Sequence, residues 1–259
     1  MIILPTAIVG PPGAPELTPP ARATPLLWSL IGLLVGLAIV ESLAVAAAVH
    51  GWQWLPAVLV RAVTIANASA LLYPGHDLFL PHQLWTAALI HDGIDPHRLG
   101  GSALGVWQLM ANLVVLAVAG CAVERRLGPL ATAAALLVLT PLAALIHLRA
   151  PDSGAAIACA SDLVAGVAGL AWGLFTGHRV RWAAYYWLVV VVGVRPFRLH
   201  LRWLALGFVA QEAARAFLAM PAPDAWERVF GVLAAVVVGH GLGTAARLLQ
   251  RGGAFAADA

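Results

Sequence analysis

Six stretches of this chain, roughly 26–49, 106–125, 128–148, 156–177, 200–219 and 229–249, are predominantly apolar. Each is long enough to cross the roughly 30 Å hydrocarbon core of a bilayer as a helix, for which about 20 residues suffice. Inside hydrocarbon the backbone must satisfy its own hydrogen bonds, and a helix does this within one segment. The chain is 61% hydrophobic and only 10% charged, whereas soluble domains carry about 25% charged residues. The fold class that follows is an all-α integral membrane protein.

Pro-rich residues 1–25 read as a disordered N-terminal tail, 26–251 as the membrane domain and 252–259 as a C-terminal tail. No cleavable signal peptide is expected, because the first apolar run is long enough to stay in the membrane. A seventh apolar run, 182–194, is short and ends at Arg195-Pro196, which stops or kinks a helix. All fifteen basic residues are arginine. With six spans and a cytoplasmic N-terminus, ten of them (Arg22, Arg125, Arg126, Arg179, Arg181, Arg195, Arg198, Arg202, Arg247 and Arg251) lie inside and five outside. That bias fits the positive-inside rule. Making 182–194 a crossing changes the count to seven against eight and destroys the bias. The run is therefore placed at the cytoplasmic interface or as a re-entrant segment. The expected location is a bacterial inner membrane.

Between the first two spans lies a long loop rich in tryptophan and leucine (Trp52, Trp54, Leu55, Trp85) but interrupted by Arg61, Asp77, Asp92 and Asp95. Such a segment suits a structured loop in the outer interface. The pI near 9.4 does not point to nucleic acid, because the arginines sit at span ends and in loops. Cys121 and Cys159 both fall in apolar segments, and no disulfide is expected between them.

Ser161 and His240 stand inside apolar runs beside stripes of small residues. Ser161 leads to Ala165, Gly169 and Gly173, and His240 lies beside Ala235, Gly239 and Gly243. Small residues every four let two membrane helices approach closely. A hydroxyl and an imidazole on such helices have the makings of a nucleophile and its base. Gln108, Asn112, Leu116, Gly120 and Glu124 are each four apart and share a face of the second span. Gln108 and Asn112 are amide donors at the depth of Ser161, where they can stabilise an oxyanion or simply tie neighbouring helices together. Glu212 and Arg215 are three apart and can pair with each other. Glu41 has no evident partner. A haem site calls for paired histidines on facing spans, and only His147 is available as a second ligand.

These residues resemble those of the rhomboid intramembrane serine protease family. Asn112, Gly120, Glu124, Arg126 and Gly128 match the spacing of that family's second span and following loop. Ser161, Gly166 and Gly169 match its nucleophile motif, and His240 and Gly243 its last span. Trp85 and His91 resemble the preceding loop. Cys159 and Asp162 stand where the motif has glycines, Gln108 replaces a histidine, Thr86 an arginine and Arg247 a glycine. The resemblance implies a rhomboid-like bundle of six transmembrane helices with a long structured first loop. It implies a Ser161–His240 dyad, an oxyanion hole built from Asn112 and Gln108, and structural roles for Trp85, Gly120, Glu124, Arg126, Gly128, Gly166, Gly169 and Gly243. It calls for no metal or organic cofactor. Two functions follow as expectations. One is an intramembrane serine endopeptidase that cleaves a transmembrane or juxtamembrane peptide bond. The other, favoured by the altered serine motif, is a catalytically inactive rhomboid-like protein that binds membrane helices or serves as a subunit of a membrane complex.

Overall fold

The computed structural model describes residues 2–10, 24–50, 81–89, 101–147, 160–188, 191–219 and 222–257. Each of the six apolar runs is a helix. They are α1 (Pro25–His50), α3 (Gly101–Val115) continuing through a π turn (Leu116–Gly120) into α4 (Cys121–Leu127), α5 (Pro129–His147), α6 (Ala160–Leu174), α7 (Arg202–Ala219) and α8 (Ala222–Ala257). A short helix, α2 (Gln83–Thr86), extended by a 3-10 turn (Ala87–Leu89), precedes α3. Two helical segments, Trp107–Leu127 and Ala225–Gln250, are long and apolar enough to cross a membrane; Pro25–Val40, Pro129–Leu142 and Ala160–Leu174 are shorter apolar helices. Helix α8 runs on to Ala257, so the expected C-terminal tail from 252 is mostly helical.

The all-α expectation does not hold. Three strands, β1 (Ile2–Val9), β2 (Arg179–Leu188) and β3 (Val191–His200), form an antiparallel sheet in that order. The run 182–194 thus builds most of a hairpin and does not cross as a helix. Its strands are rich in Val, Tyr and Trp, which favour extended backbone. Strand β1 comes from the stretch read as disordered tail; its apolar residues pair with β2, Ile8 opposite Val180. Ile8 and Val180 are both fully buried in the helical core, which anchors the sheet to the bundle. Most of the long first loop and Cys159 lie outside the described residues, as does the side chain of Glu41.

The π turn explains why one face of the second span stays buried. In an α-helix four residues advance about 400°, so a stripe of residues four apart drifts around the axis. A π turn takes more residues per turn and reverses that drift. As a result Gln108, Asn112, Leu116 and Glu124 are at most 1% exposed, and Gly120 is buried with them. At the far end of this stripe the Glu124 carboxylate accepts the backbone N–H groups of Leu26 at 3.1 Å and Leu27 at 2.9 Å. These donors of the first turn of α1 have no partner within their own helix, and an anion there also meets the positive end of the helix dipole. Gly128 ends α4 with φ of +82°, a conformation that glycine adopts without strain. A Cβ at Gly120 would lie 2.8 Å from Leu27, so this glycine lets α1 close on the stripe. Arg126 is exposed at the same end.

Trp85 has a definite job. Pro141 lies inside α5 and has no N–H to give to the carbonyl four residues back. That carbonyl belongs to Leu137, and the indole N–H of Trp85 donates to it at 3.1 Å. A side chain from α2 thereby repairs the helix bond that proline removes. Trp85→Phe is expected to destabilise the protein by about 1 kcal/mol, the usual worth of a hydrogen bond. In a Pro141→Ala background, where residue 141 supplies its own N–H, the loss should shrink. Denaturant unfolding of the four proteins checks this, and equal losses in both backgrounds would reject the repair.

Among the described residues, helices α6 and α8 form the tightest pair, and they run parallel. A Cβ added at Gly169 would strike the backbone of Val236, one at Gly239 that of Gly166, and one at Gly243 that of Leu170. Gly173 lies against the backbone of His240 and Thr244. At Gly166 the spacing is looser: an added Cβ would sit 3.3 Å from Leu139 of α5 and 3.6 Å from the Ala235 carbonyl. The small-residue stripes read from the sequence are the surface along which these helices touch.

Candidate functional site

At one end of the bundle, four helices bring their polar side chains into a single buried cluster. Gln108 on α3, Ser161 and Asp162 on α6, Glu212 and Arg215 on α7, and Arg228 on α8 are each no more than 7% exposed. The Ser161 hydroxyl accepts a short hydrogen bond from the Gln108 side-chain amide and another from Arg228 Nη2 at 2.9 Å. The same Gln108 amide lies 3.4 Å from Glu212 Oε2, which also accepts from Arg215 Nη2 at 3.3 Å. Arg228 Nη1 faces Asp162 Oδ2 at 4.0 Å. Two carboxylates and two guanidiniums share the cluster, so its formal charge sums to zero. That balance is what allows four ionised groups to stay out of water.

Ser161 and Gln108 therefore meet, as their positions in the sequence suggest. Asn112, one turn along from Gln108, is fully buried on the same stripe. His240 does not join them. Its ring packs on Trp172, with centroids 4.4 Å apart and planes inclined by 46°. Its Nδ1 makes no hydrogen bond among the described residues. Both helices show how far it stands from Ser161. Arg228, which bonds Ser161, is twelve residues before His240 on the unbroken helix α8. Gly173, which abuts the His240 carbonyl, is twelve residues after Ser161 on α6. Twelve residues of α-helix span about 18 Å, and an arginine side chain reaches less than half of that. The expected dyad is not assembled: as α6 packs on α8, Arg228, and not His240, stands at the level of Ser161.

A serine that acts as nucleophile needs an acceptor for its proton. The partners resolved on Ser161 are both donors. They hold the hydroxyl through its lone pairs. Asp162, next to Ser161, faces the guanidinium of Arg228.

Arg228 is the central residue that sequence reasoning misses, because its charge reads there only as one more contribution to orientation. The available signal is weak: Asp162 lies inside one apolar run and Arg228 just before another, and both runs carry small-residue stripes. Among the described residues no three His, Cys, Asp or Glu side chains gather as a metal would require. No protein-family model, curated protein or solved structure matches the chain.

Proposed function

We propose that the chain is a multi-pass membrane protein of rhomboid-like organisation that does not use Ser161 for proteolysis, and that it acts by binding the membrane helices of a partner. The observation that carries this reading is the occupation of Ser161 by Gln108 and Arg228, with His240 three turns away against Trp172. Membrane embedding is supported by the outer faces of the helices. Trp226, Phe230, Leu233 and Val237 form an exposed stripe on α8, and Leu130, Leu137 and Val138 one on α5. In water such surface would be an aggregation hazard, whereas lipid tails or apolar partner helices cover it without penalty. The balanced charge cluster fixes how the inner helices sit, leaving the outer faces for association.

A second reading, an intramembrane serine endopeptidase, keeps one specific support: the Gln108 amide already contacts Ser161 and Asn112 lies one turn on, as an oxyanion site requires. Labelling by a fluorophosphonate probe separates the two. The wild-type protein in detergent or bilayer is expected to show no label above that of Ser161→Ala. Labelling that vanishes in Ser161→Ala would overturn the non-catalytic reading.

A further inference from the structure

We propose that the arginine face of the sheet, where the bundle meets β2 and β3, is a docking surface for anionic lipid headgroups. No acidic residue occurs between Asp162 and Glu212, whereas Arg179, Arg181, Arg195, Arg198 and Arg202 all do. The sheet brings three of them, Arg179, Arg181 and Arg198, together. Arg181 pairs in register with Arg198, and Arg179 with His200. Side chains that alternate along a strand place these four residues on one face, opposite the face on which Val180 enters the core. The exposed Arg179 and Arg198 make this face positive, so it gains from bound anions. Arg179, Arg198, His200 and Arg202 are exposed.

Three observations favour a lipid surface over another anion source. The carboxylates whose side chains are described are Glu124, Asp162, Glu212 and Glu227. Of these only Glu124 lies at the sheet end of the bundle, and it is 1% exposed and committed to α1. The aromatic side chain beside Arg202 is one typical of a bilayer interface: Trp203 is 49% exposed, with Arg202 Cζ 5.5 Å from its ring centroid. Finally, Arg202 and Trp203 open α7, so the face lies at a helix end, where a membrane-spanning helix would meet headgroups. The inference rests on the membrane reading above and is independent of whether Ser161 is catalytic.

The test is native mass spectrometry of the full-length protein in detergent, titrated with an equimolar mixture of phosphatidylglycerol and phosphatidylcholine. Wild type is expected to take up the anionic lipid at least about tenfold in preference, given roughly fivefold per arginine at a membrane surface. Arg179→Gln/Arg198→Gln/Arg202→Gln should bring the ratio close to one, and Arg198→Gln alone should lower it while leaving the melting temperature unchanged. Equal uptake of both lipids by wild type, or undiminished selectivity in the variants, overturns the proposal while leaving the membrane reading intact. Uptake of neither lipid overturns both. Displacement of bound phosphatidylglycerol by an oligoglutamate peptide at comparable concentration would assign the face to an acidic protein partner and overturn the lipid assignment.

Discussion

Gly169→Leu is expected to prevent assembly of the native bundle, whereas Gly241→Leu, on the neighbouring helix, should be almost silent. At Gly169 the first side-chain carbon would already collide with the carbonyl of Val236, and the carbonyl carbon and Cα of that residue stand 2.9 Å away. No rotamer relieves such a contact, because the obstacle is backbone. Overpacking a core against side chains typically costs about 1–3 kcal/mol. Here α6 and α8 must move apart as units, which also opens the contacts at Gly166, Gly239 and Gly243. The expected loss is above about 3 kcal/mol, a large part of the roughly 5–15 kcal/mol that holds a typical protein folded. At Gly241 nothing lies within 4 Å of the added carbon, so the residue faces outward. Size-exclusion profiles and thermal melts of the two purified variants give the answer. Similar melting temperatures for Gly169→Leu and wild type would mean that the two helices are not in backbone contact.

The same stripes show how far the sequence can be read. Apolar length is enough to find all six helices, because a run that long has few alternatives. It is not enough to assign 182–194, since a short apolar run lacks a periodicity that separates strand from helix. Strand β1 is harder still. Its pairing reaches from residues 2–9 to 179–185, and nothing local to either segment announces the other. Small residues every four identify a surface of close approach but not the register across it. Sliding one helix by a turn sets another small residue opposite the next. Ser161 and His240 can both be read as lining that surface, and both do belong to it, yet they lie three turns apart. Register is decided by features that do not repeat, and here those are charges: Asp162 at the start of α6 and Arg228 at the start of α8. The contact between Gln108 and Ser161 is legible because the four-residue spacing in the second span leads to it. Its meaning is not, because that depends on which residue α8 supplies.

Arg228→Met is the sharpest test of that assignment. Methionine fills similar volume and keeps the apolar stem of arginine, so the change removes chiefly the guanidinium. Asp162, fully buried, loses the cation beside it, and Ser161 loses a donor. Removing one member of a buried ion pair commonly costs about 3–5 kcal/mol, because the other charge stays buried without compensation. Asp162→Asn alone should also destabilise, since it leaves the guanidinium as the excess charge. Combining the two removes both charges together, and the double variant should recover a substantial part of the loss. Ser161→Ala should be milder, about 1–3 kcal/mol, because it takes one acceptor from Gln108 and Arg228 and removes no charge. The double-mutant cycle is read from unfolding in a mixed detergent–denaturant titration. Additive losses would mean that Asp162 and Arg228 do not compensate each other, and the register of α6 on α8 would then need another cause. Strong coupling would tie the serine's surroundings to helix alignment, which is the role the cluster's neutral charge balance implies.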